Sequence, residues 1–386
     1  MEQSLSLRLH YQERSRAMQK QLRAGVIGSG FMARVHSRAI RDAGHQVVAI
    51  ASSSKESAAK AASQLNIAKH FDTWQELVAS DLVDVIHVCT PNEFHAEMAI
   101  AAAKANKHII CEKPISISYE EALEIQNEVQ ASGVGFAIPF AYRFYPVVRE
   151  IRARISNGQS GPIHLMHGAY LQDWLATPES NNWRVDSVTG GLSRAFADIG
   201  THWCDLMEFV SGDRITSLIA NTSSVYQSRG GKQVLTEDVA TILFETETGA
   251  TGSLTVSQVS FGRKNQLQIE FDGSKESYTF NQEQPDSFFI GGQSANQIVM
   301  HGQETLTAAD AKRLSTVPSG HPQGYQEAFN AFVADAYASF QGDARDGVPG
   351  LVDGLRSSAL IEAVLESAAT RSWVQVRAVA NVLSLQ

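Results

Sequence analysis

The stretch that decides the fold reads Ala24-Gly25-Val26-Ile27-Gly28-Ser29-Gly30-Phe31-Met32-Ala33. A short apolar run leads into a glycine-rich turn, which opens an apolar-periodic helix. Gly28 permits the tight turn, Gly30 lets the backbone approach a pyrophosphate, and Ala33 allows close helix–strand packing. The free N–H groups at the helix start stabilise phosphate charge. A glycine turn without a ligand is the alternative, but the flanking strand and helix favour dinucleotide binding. The candidate contacts are Gly28, Gly30, Phe31 and Met32.

The residues after the second predicted strand leave the choice between NAD and NADP open. In this fingerprint an acidic residue about twenty positions on bonds the ribose hydroxyls and repels a 2′-phosphate. Here residues 47–51 are followed by Ser52, Ser53, Ser54 and Lys55. These side chains exclude neither cofactor, although the absence of an arginine favours NAD. Ser52, Ser53 and Lys55 are the candidate ribose contacts, and Lys55 is alternatively a solvated residue at a helix start.

From residue 23 to about residue 140, short apolar runs alternate with helical patterns, which is typical of βαβ units and a parallel sheet. The runs are almost continuously apolar, as strands buried on both faces should be. Predicted strands cover residues 24–27, 47–51, 83–89, 108–111 and 135–139, and predicted helices include residues 31–42, 55–65 and 93–106. Ser118 and Glu121 have the capping-box spacing, which predicts a further helix start.

The pattern changes near Tyr145, where strand-like runs begin to follow one another with few helices between them. After a predicted helix at residues 147–156, the predicted strands cover residues 163–172, 215–227, 239–245, 251–259 and 266–271. Such a series predicts an open, mostly antiparallel sheet with one face covered. Residues 281–296 are expected to form a loop or a poorly packed edge. Predicted helices at residues 324–340 and 351–369 close the chain.

The predicted fold class is therefore α/β, and two domains are natural for 386 residues. Residues 23–143 are predicted to form a Rossmann dinucleotide-binding domain. Residues 144–386 are predicted to form a C-terminal α/β domain that binds substrate and carries oligomerisation. Residues 1–22 are polar and lack an apolar core segment, so they predict an extension and not a secretory signal.

Composition argues against several classes of partner. The net charge is −9 and no long basic run is present, whereas nucleic acids and anionic membranes require concentrated lysine and arginine. No apolar stretch approaches the length of a membrane span. Cys89, Cys111 and Cys204 are far apart and have no metal-like spacing, which predicts reduced thiols and no metal site. The cytoplasm is the expected location.

Two further motifs follow predicted strands: Cys89-Thr90-Pro91-Asn92-Glu93-Phe94-His95 and Cys111-Glu112-Lys113-Pro114. With the glycine turn, they resemble the glucose–fructose oxidoreductase/inositol dehydrogenase (Gfo/Idh/MocA) family. The resemblance continues through Tyr142-Arg143-Phe144, Trp183-Arg184, Gly190-Gly191 and Asp198-Ile199-Gly200-Thr201-His202, so it covers nearly the whole chain from Arg23 onward. Glu-Lys-Pro combined with Asp-x-Gly-x-x-His is specific, whereas either motif alone would be weak.

The resemblance implies hydride transfer between a nicotinamide and a secondary alcohol carbon of a sugar, cyclitol or glycoside. It also implies homodimers or homotetramers formed through the second sheet. Thr90, Pro91, Asn92 and His95 are implied to approach the cofactor, with Glu112 and Lys113 beside the nicotinamide ribose. Arg143 joins the candidate cofactor residues and Tyr142 the candidate substrate residues, because ligand clefts are common at domain junctions.

Lys113, Asp198 and His202 match the catalytic group of that family. Oxidation of a secondary alcohol needs a base for the hydroxyl proton while hydride leaves the same carbon, and histidine is suited to that task near neutral pH. Asp198 lies four residues before His202, so on a helix both face one way, and Asp198 is expected to orient the imidazole or bond a substrate hydroxyl. Lys113 is expected to stabilise the developing alkoxide, and is an alternative base.

The segment before Asp198 departs from the family pattern. A triple-glycine segment is usual there, but this chain has Gly190-Gly191-Leu192-Ser193-Arg194-Ala195-Phe196-Ala197, which is longer by about two residues. Arg194 is expected either to clamp an anionic or multiply hydroxylated ligand or to form a surface salt bridge. The other candidate substrate residues are Tyr142, Trp174, Trp183, Arg184, His321 and Tyr325.

Three functions fit these residues. The first is a dehydrogenase or reductase that acts on a sugar-like polyol. The second is a glycoside hydrolase that keeps NAD bound and uses transient oxidation at C3, elimination, water addition and re-reduction. The third is a dinucleotide-binding regulator without catalysis, which the presence of Lys113 and His202 disfavours.

Overall fold

Six parallel strands form the sheet that follows from the glycine turn. The computed structural model describes residues 20–379, so most of the predicted extension lies outside the described residues. The strands are β1 (Arg23–Ile27), β2 (Gln46–Ala51), β3 (Lys69–His70), β4 (Val85–Val88), β5 (His108–Cys111) and β6 (Phe136–Ala137). Their order is β3-β2-β1-β4-β5-β6. The strand order reverses between β1 and β4, which is where ligands bind in such sheets.

Helices connect these strands and cover the sheet. They are α1 (Phe31–Asp42), α2 (Lys55–Leu65), α3 (Trp74–Ala79), α4 (His95–Lys104) and α5 (Tyr119–Ser132). The sequence patterns missed β3 and α3, although Thr73 and Glu76 form a complete capping box at the start of α3. At α5 the predicted box is half formed: the Glu121 N–H donates to Ser118, but the Glu121 carboxylate accepts from the N–H of Ile117.

A larger sheet forms in the second part of the chain. Its strands are β7 (Ile163–Leu171), β8 (Ile215–Ser223), β11 (Val239–Thr246), β12 (Thr251–Ser257), β13 (Gln266–Gly273), β14 (Glu276–Asn281), β15 (Ser287–Gly292), β16 (Gln297–Met300) and β17 (Val374–Gln375), while β9 (Ser228–Arg229) and β10 (Lys232–Gln233) form a separate hairpin. The order is β16-β15-β14-β13-β7-β12-β11-β8-β17. All neighbouring pairs are antiparallel except β7 and β12, which are parallel. The prediction of a mostly antiparallel sheet is confirmed.

One face of this sheet is buried under helices, and alternate residues show it. Ile242 and Phe244 on β11 are buried, whereas Leu243 between them is exposed. The buried side packs against α6 (Pro146–Ser156), α8 (Thr201–Ser211) and α11 (Leu351–Thr370). The expectation of a loop or a poorly packed edge at residues 281–296 is wrong at Ser287–Gly292, because β15 lies there and buries Phe288 and Ile290.

The last helices pack on both parts of the molecule. Besides the short helices α7 (Ser187–Gly190) and α9 (Ala309–Leu314), the chain forms α10 (Tyr325–Phe340), which lies against α1 of the first sheet. Gln326 donates to the carbonyl of Val35 at 3.3 Å. The predicted boundary at residues 143–144 thus separates the two sheets, but helix α10 beyond it helps to cover the first one.

The cysteines are free thiols, and burial raises the pKa of Cys89, Cys111 and Cys204. Within residues 20–379, no helix has the length and apolar character needed to cross a membrane. The same residues contain no group of three or more histidine, cysteine, aspartate or glutamate side chains arranged to hold a metal ion.

Candidate active site

The glycine turn between β1 and α1 has the geometry of a phosphate cradle. Gly28 has φ +120°, and a Cβ there would lie 2.4 Å from the carbonyl oxygen of Cys89, so only glycine fits. Among residues 20–379, a Cβ at Gly30 would meet nothing within 4 Å, and no side chain caps the start of α1. The turn therefore leaves open space beside uncapped N–H groups, which fits the pyrophosphate of a dinucleotide. Phe31 is exposed at its rim, whereas Met32 packs partly on the core.

Three hydroxyl groups occupy the end of β2, where the fingerprint normally has a carboxylate. Ser29 Oγ lies 2.8 Å from Ser52 Oγ and 3.1 Å from Ser57 Oγ, and the Oγ atoms of Ser52 and Ser57 are 2.9 Å apart. Lys55 is turned to Asp72, 2.8 Å away, and both are exposed. Ser53 is exposed beside this cluster. The serine cluster (Ser29, Ser52, Ser57) carries no charge, so it offers hydrogen bonds without repelling a 2′-phosphate.

The loop after β4 is tied to two other loops through buried side chains. The Asn92 amide donates to the carbonyl of Gly190 at 2.9 Å. The ring nitrogens of His95 lie 2.7 Å from the Pro114 carbonyl oxygen and 2.9 Å from that of Thr90. Asn92 and His95 therefore shape the site by joining loops, and direct cofactor contacts of the Thr90–Pro91–Asn92 turn and His95 stay predictions.

Glu112 begins a buried chain of hydrogen bonds that the sequence patterns did not reveal. His36 Nε2 donates to Glu112 at 2.9 Å, the Nδ1 atoms of His36 and His87 lie 2.7 Å apart, and His87 Nε2 lies 2.8 Å from the Tyr337 hydroxyl. Burial alone would raise the pKa of Glu112, but His36 and the charge of Lys113 outweigh it and lower that pKa. The carboxylate is thus held ionised next to Lys113.

Lys113, which follows β5, contacts Asp198, which precedes α8. Lys113 Nζ lies 2.8 Å from Asp198 Oδ1 and also donates to the Asp198 backbone carbonyl at 2.7 Å. Arg184 Nε is 3.3 Å from Oδ1, and Gln258 Nε2 donates to Oδ2 at 2.8 Å. Burial would raise the pKa of Asp198, but the charges of Lys113 and Arg184 outweigh it and hold that pKa well below the usual range.

His202 follows on the first turn of α8 and presents its ring to two aromatic side chains. Its centroid lies 5.5 Å from that of Phe140 and 5.1 Å from that of Tyr142, both edge-on. Burial and then the charge of Lys113 lower the pKa of His202 well below its usual value, against the opposing effect of Asp198. A neutral imidazole at neutral pH is a competent proton acceptor.

The expected bond between Asp198 and His202 is absent from the described structure. Residues Phe196–Gly200 form a wide π-helical turn before α8, so the four-residue spacing is not that of a regular helix. Asp198 is engaged by Lys113, Arg184 and Gln258, and His202 Nδ1 is buried without a hydrogen-bond partner among the described residues.

A polar wall extends from His202 along the carboxyl end of β7 and the amino end of β13, which meet because the two strands are antiparallel. The Tyr142 hydroxyl lies 2.6 Å from that of Tyr170 and accepts from Asn265 at 3.1 Å. Gln172 donates to Asn265 at 2.8 Å and accepts from Trp174 Nε1 at 2.7 Å. Tyr142 and Trp174 were predicted, whereas Tyr170, Gln172 and Asn265 were missed.

Parallel pairing gives a signal that could have found some of the missed residues. β7 and β12 run side by side, and the residues that follow them are Gln172 and Gln258. The carboxyl ends of parallel strands meet at one edge, so both amides belong to the site edge. Trp183 and Arg184 also lie there, with the guanidinium 4.3 Å from the Trp183 ring centroid, and Tyr325 approaches Tyr142 at 6.3 Å between centroids.

The structure places three predicted residues outside this cluster. Arg143 is buried and pairs with Asp205 and Asp353 instead of facing the glycine turn. Arg194 is fully buried and pairs with Asp238, so it is neither a clamp on a ligand nor a surface salt bridge. His321 is exposed, and no hydrogen bond joins its imidazole to the cluster within the described part of the chain.

Comparisons with known proteins agree with this geometry. Residues 22–140 match the model described as "Oxidoreductase family, NAD-binding Rossmann fold", and residues 148–279 match the GFO/IDH/MocA C-terminal domain. Levoglucosan dehydrogenase of Pseudarthrobacter phenanthrenivorans is 29% identical over 92% of this chain and 98% of its own length. Glucose-6-phosphate 3-dehydrogenase of Bacillus subtilis is 25% identical over 92% of this chain and 99% of its own length.

Solved structures extend the likeness to three dimensions. A levoglucosan dehydrogenase in complex with NADH and levoglucosan has a TM-score of 0.86 and 30% identity, covering 93% of this chain and 100% of that one. An oxidoreductase domain protein from Kribbella flavida gives the same values. With both family models matched and full-length relatives in sequence and structure, this chain belongs to the Gfo/Idh/MocA family of NAD-binding oxidoreductases.

Proposed function

We propose that this enzyme oxidises a secondary alcohol carbon of a sugar-like polyol, with NAD as the hydride acceptor. The observation that carries the proposal is the contact between Lys113, which follows β5 of the cofactor sheet, and Asp198 beside the second sheet. This contact joins a cation from the half that carries the glycine turn to a carboxylate of the second half, and the charges of both act on the neutral His202. An anhydrosugar such as levoglucosan is the first substrate to test, because relatives of that activity match over the whole described fold.

Each residue has a defined task in this reaction. Bound NAD supplies the hydride acceptor. The neutral imidazole of His202 takes the hydroxyl proton as hydride leaves the same carbon, so the alcohol loses two electrons and two hydrogens. Lys113 donates a hydrogen bond to the reacting oxygen, where negative charge develops. Asp198 holds the Lys113 ammonium in one direction, and Trp174 offers an apolar face to the C–H side of a sugar ring.

The second sheet supports a proposal for assembly. On its open face Leu243 is 55% exposed and Ile298 is 73% exposed, and both belong to one cross-strand row. A second copy of the chain, packed face to face, would cover both residues and form a homodimer or homotetramer. Light scattering after size exclusion tests this, and a monomer at micromolar concentration would contradict it.

The enzymatic test is incubation with NAD⁺, then NADP⁺, against free sugars, anhydrosugars, cyclitols and aryl glycosides. Nicotinamide reduction and phenol release are recorded together. Reduced cofactor that rises with the substrate consumed supports the proposed dehydrogenase. Phenol release that needs NAD⁺ but gives no net reduction would replace it with redox-assisted hydrolysis, and NADH binding without any turnover would replace it with a regulator.

A further inference from the structure

A buried polar chain leads away from Asp198 on the side opposite to Lys113. Asp198 Oδ2 accepts from Gln258 Nε2 at 2.8 Å, and Gln258 Oε1 lies 3.5 Å from Arg194 Nη1. Gln258 and the Arg194 side chain are both 0% exposed. Because Lys113 and Arg184 occupy Oδ1, Gln258 is the group that fixes the second oxygen of the carboxylate.

The Gln258 amide has one orientation that satisfies both neighbours. A carboxylate only accepts hydrogen bonds and a guanidinium only donates them, so Nε2 must face Asp198 and Oε1 must face Arg194. A flipped amide would set acceptor against acceptor and donor against donor in a buried site, which is costly. Arg194 therefore supports the orientation in which Gln258 donates to Asp198.

Arg194 is itself held by the three residues that precede β11. Its Nε donates to Thr236 Oγ1 at 3.1 Å, its Nη2 pairs with Asp238, and its backbone N–H donates to Glu237 at 2.9 Å. The same Glu237 oxygen accepts from the Ser193 hydroxyl at 2.8 Å. The lengthened loop before Asp198 is thus held against the residues that precede β11 by hydrogen bonds and an ion pair of Ser193 and Arg194.

Asp238 also connects this loop to the segment that carries the tryptophans. Arg229 pairs with Asp238 at 3.1 Å and donates to the backbone carbonyls of Leu175, Thr177 and Ser180. Both guanidinium groups are fully buried on one carboxylate. A change in this buried cluster would therefore reach Asp198 through Arg194 and Gln258.

We propose that Gln258, oriented by Arg194, is a positioning residue for Asp198 in polyol oxidation. The inference rests on the proposed function, since it concerns the same reaction. Without the Gln258 bond, Oδ2 is free to turn toward Lys113 and Arg184, and the Lys113 ammonium is no longer held in one direction. The loss falls on turnover and not on cofactor binding, because the glycine turn does not contact this chain of bonds.

The first test compares Gln258→Met with the matched control Gln227→Met. The control glutamine is exposed, and among the described residues its side-chain amide donates to the carbonyl of Ser224 alone. We expect kcat to fall about tenfold in Gln258→Met, as for loss of one hydrogen bond to a charged group, with KM and NADH affinity changed less than about twofold. The control should keep wild-type kcat.

The second test needs no turnover. Thermal unfolding is measured at pH 8 for Gln258→Glu, Asp198→Asn and both together. Gln258→Glu alone sets two carboxylates against each other, whereas the double variant restores a donor and an acceptor in reversed order. We expect the double variant to be more stable than the sum of the single effects predicts.

The outcomes separate the inference from the proposed function. Additive effects would show that Gln258 does not hold Asp198, and would overturn the inference. A non-additive cycle with unchanged kcat in Gln258→Met would leave a structural contact only and also overturn it. A wild-type chain that reduces NAD⁺ on no polyol would overturn the proposed function, and with it the positioning role of Gln258 in that reaction, while the stability cycle still decides the contact.

Discussion

The glycine turn and the Asp198 carboxylate are two parts of one site, but they are specified in different ways. The turn is set by backbone geometry within a single strand–turn–helix, with Gly28 at a φ of +120°. Asp198 is set by side chains from distant parts of the chain, since Lys113 is 85 positions away and Gln258 is 60. The conformation of the turn is local, whereas the position of Asp198 depends on tertiary contacts between distant elements.

This difference teaches that cofactor affinity and turnover should fail independently. Substitutions in the turn remove space or N–H groups that a pyrophosphate needs, and leave the Asp198 contacts intact. Substitutions around Asp198 change the direction of charges near the reacting oxygen, and leave the turn intact. Measuring affinity and rate in the same variants tests that separation.

The largest effect is expected for Lys113→Met. Turnover should fall by about a hundredfold to a thousandfold, because a preorganised donor to the developing alkoxide is lost. NADH affinity, measured by fluorescence, should change by less than about threefold. Lys104→Met is the control, since the Lys104 side chain is exposed and its ammonium forms a loose ion pair with Glu128 at 3.8 Å. Turnover near that of the wild type would remove Lys113 from the mechanism.

Gly30→Val should remove cofactor binding at the glycine turn. The new side chain would enter the space that is open beside Gly30, so the fold should form while NADH affinity falls about a hundredfold. Circular dichroism checks the fold and fluorescence titration the affinity. A folded variant that binds NADH normally would contradict the cradle.

Ser52→Asp should sharpen the cofactor preference. A carboxylate in the serine cluster repels a 2′-phosphate, so NADPH affinity should fall about tenfold while NADH affinity is kept. Ser63→Asp, exposed on α2, controls for the added charge. Equal affinities of Ser52→Asp and wild type for NADPH would show that the ribose does not lie at this cluster.

The smallest expected effect is a shift in pH dependence. Burial lowers the pKa of His202 well below its ordinary value of 6.5, so the imidazole stays neutral and kcat/KM for oxidation should not fall as the pH is lowered from 8 to 6.5. The same shift makes the unfolded chain bind the proton more readily, so stability contributed by this histidine is lost as pH falls below 6.5. An acid limb centred above pH 6.5 would contradict the assignment.

Local patterns predicted most of the fold. Apolar runs and the turn residues between them predicted α1, α2 and β5 with the bounds that the structure shows, because these elements are determined by neighbouring residues. The segment that holds β15 was misread, since Phe288 and Ile290 stand between a polar stretch and Gly291-Gly292 and form a strand through pairing with β14 and β16. Tertiary pairing overrides a weak local signal there.

The candidate site shows the same difference between residues that local motifs reveal and residues whose partners depend on the fold. Lys113, Asp198 and His202 were predicted, and the structure brings them to one edge. Arg143 and Arg194 were expected to face ligands, but both are buried against carboxylates that only the fold brings near. Sequence spacing cannot show which of several acids an arginine will meet, so Asp205 and Asp238 were not foreseen as partners.

The hydrogen-bonded chain from Glu112 to Tyr337 limits how freely this protein can be recombined with its relatives. His36 and His87 come from the cofactor half, but the tyrosine that completes the chain comes from α10, nearly at the other end of the sequence. A chimaera joined at residue 143 would combine the two histidines with whatever residue the donor carries in place of Tyr337. Unless that residue donates a hydrogen bond, a buried imidazole nitrogen loses its partner, so the cofactor half is not an exchangeable module.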